Sequence, residues 1–206
     1  MSSESAAPQQ RRRPRRRTSN TIDDVREAAL TLFAERGYRA TGIRDIAEAL
    51  DIGPTSVYSH IESKAALLNG ILIPTMEDLV AIQASAIAAT ADVTQQLRRV
   101  TEDMVLYFIK NQRAARVVSR DWSLAEGEGL AIVTARRESF RGCVEDLLRA
   151  GVEDRRFVVE DVSIAATAII KLYESVAEWY SPERDLSTTQ VAYLWGEYVL
   201  RIVKGA

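Results

Sequence analysis

Between Ile22 and Leu72 the apolar residues recur at helical spacing, but helix-ending or helix-starting residues cut the run at Gly37, at Asp51-Ile52-Gly53 and at Ser63. This punctuation constrains the fold most, because it leaves segments too short to be stable as isolated helices, so they must pack on one another. Ile22, Val25, Ala29, Leu32 and Phe33 share one face of a first helix, with Asn20 or Thr21 as its cap and Gly37 as the left-handed residue that ends it. Ile43, Ile46, Ala47 and Leu50 face inward on a second helix. Pro54 opens a brief third one, at the position where a missing N–H costs nothing. At Ser63 a serine cap starts a longer apolar run through Leu67, Leu68, Ile71 and Leu72.

Three short helices, the third opening after a tight turn, predict a helix-turn-helix that projects its last helix into the major groove of DNA. In "PTSVYSHI", Val57 and Ile61 lie four apart and form the docking side, leaving Thr55, Ser56, Tyr58, Ser59 and His60 outward. Short hydroxyls can donate to phosphates or base edges without crowding the approach. Lys64, in the first turn of the next helix, can hold a phosphate together with the free backbone N–H groups there. His60 is the single histidine of the chain. Taken alone it reads as a surface or satisfied core residue, and in this company as a phosphate donor.

Here the residues reach a known family. "VREAALTLFAERGYRATGIRDIAEALDIGPTSVYSHIESKAALL" closely resembles the DNA-binding domain of TetR-family transcriptional regulators, through A-x-x-L-F-x-x-x-G-Y-x-x-T, I-A-x-x-L-x-I and V-Y-x-H-I-x-S-K in order over residues 21–68. The resemblance implies that Tyr58, His60 and Lys64 touch phosphates and that Thr55, Ser56 and Tyr58 lie nearest the bases. It implies also that Thr41 through Arg44, Gly42 included, grip the DNA backbone or a neighbouring base. Gly42 departs from the Thr or Ser that often caps the second helix. Pro54-Thr55 departs from the commoner Lys-Gly, which changes the reading surface.

The net charge of −2 is unevenly spread: residues 1–20 carry +5, residues 21–64 carry −3 and the remainder −4. "RRRPRRR" therefore reads as a disordered basic arm over 1–20, too polar to fold alone. Arg15, Arg16 and Arg17 of that arm are expected to reach DNA, arginine being suited to a narrow minor groove. A solvated tail is the alternative.

Beyond residue 90, helical periodicity predicts spans at 93–110, 113–125, 128–150, 160–180 and 188–204. Ser187 and Gln190 form a capping box for the last, with Leu186 able to staple against Val191. The expected fold is all-α, with a three-helix helix-turn-helix domain over 21–66 followed by a larger helical ligand-binding and dimerisation domain over 67–206. The family resemblance implies that the last two helices form a dimer and that the body encloses an effector pocket. Val176 and Trp179 on one helix, and Val191, Leu194, Trp195, Tyr198 and Ile202 on the other, are the expected interface, with intrachain core as the alternative. Met104, Tyr107, Phe108, Trp122, Phe140 and Tyr173 are the expected pocket, and they serve equally as ordinary core. Helix order and the W-Y-x-P loop also resemble members that sense acyl-CoA thioesters. Arg113, Arg116 and Arg120 share a helix face that suits either an anionic head group or solvent.

Other classes find little support. The single cysteine, Cys143, permits no intrachain disulfide, reads as a small buried hydrophobe and fits a reducing cytoplasm. No metal-ligand cluster appears, no cofactor is expected, and an enzyme would have to work through carboxylates or tyrosines. No apolar run reaches the roughly 18 residues of a membrane span. Pro74 interrupts the best candidate, "ALLNGILIP", and should kink that helix. The expected protein is a homodimeric, ligand-responsive repressor of a pseudo-palindromic operator in double-stranded DNA, released by a small, largely hydrophobic effector. A helical scaffold without DNA binding and an enzyme with an apolar pocket are the rivals.

Overall fold

Local chemistry sets the first helix start: Thr21 Oγ1 accepts from the Asp24 N–H at 3.3 Å while Asp24 Oδ2 accepts from the Thr21 N–H at 2.7 Å. The bond from the Thr21 backbone, and then the one that its hydroxyl donates to Asp24 Oδ2 at 2.9 Å, hold the Asp24 carboxyl below its ordinary pKa. The computed structural model describes residues 21–183 and 185–204, and every regular element among them is a helix. The head consists of α1 (Ile22–Arg36), α2 (Ile43–Ala49) and α3 (Pro54–Tyr58). The body consists of α5 (Val93–Lys110), α6 (Gln112–Asp121), α7 (Gly127–Glu153), α8 (Val162–Trp179) and α9 (Thr188–Lys204), and α4 (Lys64–Ala88) joins the two. A single 3-10 turn, Trp122–Leu124, continues α6.

The head encloses a small core of Val25, Ala29, Phe33, Ile46, Ala47 and Val57, closed by Leu67 and Leu68 from the first turn of α4. Gly37 ends α1 at φ 95°, as expected, but its ψ of 152° is extended rather than helical. In the turn between α2 and α3 the positive φ falls on Asp51, at 56°, while Gly53 keeps an ordinary −77°. Gly42 begins α2 without a side-chain cap. Asp45 compensates, accepting the Gly42 N–H at 2.6 Å.

By length and composition α4 could cross a membrane, with a mean hydropathy of 1.5 over an 18-residue window, although Glu77 and Asp78 interrupt its apolar run. Leu68, Leu72, Met76 and Leu79 are nevertheless buried within this chain, against α5, α6 and α7, so the helix is the spine of the protein's own core. Pro74 lies inside an uninterrupted helical segment, and Thr75 Oγ1 donates to the Ile71 carbonyl at 2.7 Å one residue on.

In the body α7 packs on α4 and α8, and α9 lies mainly along α5 rather than α8. Gly196 allows that approach: a Cβ there would meet Glu102 Oε1 at 3.1 Å. Arg98 of α5 pairs with Glu197 of α9 at 2.5 Å. Gly151 lies so close to Phe157 that a Cβ would sit 1.9 Å from its ring. The Val158 N–H donates to the Val203 carbonyl at 2.7 Å, tying the α7–α8 connection to the last turn of α9. The α9 start is the expected box, with the Ser187 N–H donating to Gln190 Oε1 at 2.8 Å and the Gln190 N–H to Ser187 Oγ at 3.2 Å.

Candidate functional site

α3 is anchored as its sequence implies. Val57 is fully buried (0 %) and Ile61 half-buried, so the helix turns Thr55, Ser56 and Tyr58 outward, Tyr58 being 55 % exposed. Arg44 is exposed on α2. Ser59 turns inward on itself, its hydroxyl donating to the Ser56 carbonyl at 2.7 Å. His60 and Lys64 are half-buried at the edge of the same surface. Lys64 Nζ stands 4.1 Å from the centroid of the Tyr38 ring, a cation–π contact that orients the ammonium. Arg15, Arg16 and Arg17 lie outside the described residues.

Thr41 does not join that surface. It is 1 % exposed, and its hydroxyl lies 2.9 Å from the Gly37 carbonyl and 3.3 Å from that of Leu32. The threonine expected to grip DNA instead fastens the α1–α2 corner, its hydroxyl turned to the Gly37 and Leu32 carbonyls at the end of α1.

Behind the α3 surface, α6 bolts the head to the body. Arg120 Nη2 donates to the Phe33 carbonyl at the end of α1 and, at 3.0 Å, to Asp121 Oδ2. Asp121 is 5 % exposed and accepts the Tyr38 N–H at 3.2 Å. Arg113 reaches Glu27 at 2.6 Å and Thr31 Oγ1 at 2.6 Å on α1. Arg116 turns the other way, donating to the Ala177 carbonyl of α8 at 3.0 Å. The three arginines are thus structural ties, although each side chain stays partly exposed, from 32 % for Arg116 to 49 % for Arg113. Ser119, on the same helix, donates to Glu174 Oε2 of α8 at 3.0 Å.

The expected pocket residues separate. Trp122 and Phe140 line a cavity of about 290 Å³ between the end of α6, α7 and α8, together with Thr134, Arg137, Ile170 and Glu174. Phe108 lines a small gap beside it. Met104 and Tyr173 line none of the described cavities and are fully buried core. The Tyr173 hydroxyl lies 3.4 Å from Thr101 Oγ1, and burial pushes its pKa upward. Tyr107 faces a separate recess and donates to Asp78 Oδ2 at 2.9 Å, with its pKa raised by burial and then by that bond. A larger hollow of about 400 Å³ opens between α4 and α7, lined by Val80, Gln83, Ile87, Cys143 and Leu147 among others. Cys143 is only half-buried there, and burial raises its thiol pKa to about 11.

The expected interface needs a similar correction. Val176 and Val191 are buried at 0 % and 1 %, forming a second core cluster with Val105 and Ala192 inside one chain, so they offer nothing to a partner. Trp179, Leu194 and Trp195 are half-buried, and Tyr198 and Ile202 are exposed. Trp179 and Trp195 lie 5.2 Å apart by ring centroid, and Trp195 Nε1 donates to the Leu172 carbonyl at 3.1 Å, which joins the two helix faces.

Sequence reasoning missed Tyr38, Asp121, Arg137 and Glu174. Arg137 had a signal: with Val133, Phe140 and Val144 it falls in the buried stripe of α7, an unusual place for a cation.

Comparison with known proteins converges with this geometry. Residues 25–71 match the family model described as bacterial regulatory proteins, tetR family, and residues 90–203 match the tetracyclin repressor-like C-terminal domain. The HTH-type transcriptional repressor KstR2 of Mycolicibacterium smegmatis is 30 % identical over 188 residues, covering 89 % of this chain and 88 % of that one. A tetR-family regulatory protein from Rhodococcus RHA1 superposes with a TM-score of 0.80 at 28 % identity, covering 92 % of this chain and 100 % of its own. AibR, solved with isovaleryl coenzyme A and operator DNA, shares the fold at a TM-score of 0.75 and 20 % identity, over 86 % of this chain and 96 % of that one.

Proposed function

Because the chain belongs to the tetR family of bacterial regulatory proteins, we propose that it acts as a homodimeric repressor of a pseudo-palindromic operator, released by a small, largely hydrophobic effector. That it is a DNA-binding transcriptional regulator and not an enzyme follows from the family itself. The dimer, the symmetric operator and the effector class are the proposed parts, as is action in the cytoplasm, where the DNA is.

The carrying observation is the position of α6. One side of it holds the head, through Arg113, Arg120 and Asp121. The other holds α8 through Arg116 and Ser119, and Ser119's partner Glu174 is a wall of the 290 Å³ cavity. A molecule that fits better when Glu174 shifts therefore displaces the helix that fixes the Tyr38 corner and the Lys64 ammonium stacked on it. The coupling is limited to the difference in the effector's affinity for the two arrangements. The apolar face of Trp179, Leu194, Trp195, Tyr198 and Ile202 supports pairing of two chains, which would set two α3 helices on successive major grooves. Thr55, Ser56 and Tyr58 would then lie nearest the bases, with Gly42, Arg44, His60 and Lys64 toward phosphates. Isovaleryl coenzyme A is bound by AibR, and acyl-CoA thioesters are accordingly the first effectors to test on this chain.

The experiment is a footprint and gel shift on the DNA upstream of the protein's own gene, at two salt concentrations. A two-fold symmetric footprint that weakens with salt and is lost on adding effector is expected. An asymmetric footprint, or no salt-sensitive complex, would sink the proposal.

A further inference from the structure

Arg137 stands where α7 should carry an apolar side chain. It lies four residues after Val133 and three before Phe140, both buried, and is itself half-buried at the wall of the cavity between α7 and α8. There it lies 4.4 Å over the Trp122 ring. Among the described residues no hydrogen bond or ion pair reaches it, whereas Arg98, Arg113, Arg116, Arg120, Arg141 and Arg149 each have one. A guanidinium offers five N–H donors, and leaving them unspent away from water is costly. Burial accordingly pulls the Arg137 pKa below the ordinary arginine value, with the nearby Glu174 opposing that pull.

The nearby carboxylate, Glu174, offsets part of this charge but forms no ion pair with Arg137. Glu174 Oε2 is already taken by Lys171 Nζ at 2.5 Å and by Ser119 Oγ at 3.0 Å. Arg141, at the same cavity, is paired with Glu145 at 3.0 Å, and Glu138 is exposed. A cationic donor set is thus left facing about 290 Å³ of space walled elsewhere by Trp122, Phe140 and Ile170. That space equals roughly ten waters by volume and lies at the lower end for small-molecule pockets.

We infer that this cavity is built for an anionic head group, a carboxylate or phosphate carried on an apolar body, with Arg137 as the receptor for the head. The planar fork matches such oxyanions bidentately, and Trp122 beneath it fixes the plane of the fork. The apolar body of the ligand then runs along Phe140 and Ile170. Glu174, repelled by the incoming anion, is the wall group that also holds Ser119 of α6. This inference rests on the effector-responsive reading above and narrows the effector to an acid rather than a neutral hydrophobe.

Isothermal titration calorimetry on the full chain tests it, with decanoate, decyl phosphate, decan-1-ol and decanoyl-CoA as probes. Decanoate or decyl phosphate should bind roughly ten- to a hundred-fold tighter than decan-1-ol, the size of a charge-assisted hydrogen-bond effect. Which of the two binds better identifies the head group. Arg137→Met should erase the preference and Arg137→Lys restore part of it, with circular dichroism checking that both variants fold. Glu174→Gln should tighten binding of the acid. Equal affinity for acid and alcohol, a preference that survives Arg137→Met, binding of decanoyl-CoA alone without dependence on Arg137, or no binding by either anion overturns the inference. An operator gel shift run beside the calorimetry separates the two readings. Release by decan-1-ol as readily as by the acid defeats the head-group assignment and leaves the regulator intact. Failure of wild type to bind operator defeats the regulator reading while calorimetry still decides the site.

Discussion

The head and the body of this protein use opposite kinds of residue for their work. In the head the side chains proposed to meet DNA stand outside a small core, and Val57 on α3, with Ile61 just beyond it, holds Thr55, Ser56 and Tyr58 out to solvent. In the body the groups proposed to carry regulation lie within or against the packing: Asp121 is nearly inaccessible, and Arg137 is half-buried beside the buried stripe of α7. The difference teaches where each function is exposed to damage. A change on the head surface should alter binding and spare stability. A change in the body should alter stability first and regulation with it.

The strongest way to test that contrast is Gly151→Ala. Its Cβ would fall 1.9 Å from the Phe157 ring, so either the ring or the α7 end must move. The expected loss is about 3 kcal/mol, the upper end for overpacking, measured by urea unfolding. An unchanged midpoint would mean that the body tolerates what its geometry forbids.

Arg120→Ala comes next and strikes the junction. It removes the donor to the Phe33 carbonyl and leaves the Asp121 carboxylate with only the Tyr38 N–H. The stability cost should be roughly 2 kcal/mol, since a buried acceptor loses its partner. Operator affinity should fall too, because the Tyr38 corner is loosened. Loss of stability with operator affinity intact would show that α6 braces the head without orienting it.

Lys64→Ala isolates the head surface. Its stability should fall by no more than about 1 kcal/mol, the worth of the cation–π contact that the half-buried lysine makes with Tyr38. For every phosphate that the lysine no longer neutralises, the slope of log affinity against log salt should become shallower by about 0.9. A large fall in stability with the salt slope unchanged would turn Lys64 into a brace for Tyr38 and blur the contrast.

The smallest effect concerns Cys143. Its thiol pKa is raised to about 11 by burial, so the neutral thiol persists well above the range of an ordinary cysteine. Alkylation by iodoacetamide should be slow at neutral pH and keep accelerating with pH past 9, because only the thiolate reacts. A rate that levels near pH 9 would mean that the thiol is solvated like a free one.

The sequence made the head legible because short-range chemistry decides it. The Thr21 cap, the Pro54 start and the Val57 and Ile61 anchors, like the Ser187 box in the body, depend on neighbours within four residues, and each stands where local rules put it. The helix spans of the body were readable for the same reason. What periodicity cannot give is the identity of the surface a stripe will meet. Val176 and Val191 read as an interface because they share faces with Trp179 and Trp195, yet α9 settles on α5 and seals both valines inside. Thr41 read as a phosphate grip until the α1–α2 corner brought the Gly37 and Leu32 carbonyls to its hydroxyl. The arginines of α6 read as solvent or ligand residues because their partners, Glu27, Phe33 and Ala177, are distant in the chain.

The packing of α9 along α5 also sets a timetable for the nascent chain. A ribosome makes α1 through α4 first, and those helices already contain the whole head core, from Val25 to Leu68. α5 follows, but the partner that covers it is synthesised only after α6, α7 and α8. The head can therefore fold while translation continues, whereas Val105 and the α5 side of the second core stay uncovered until α9 arrives. Translation thus delivers the part that reads DNA before the part that governs it, and the body of each molecule closes in a later step.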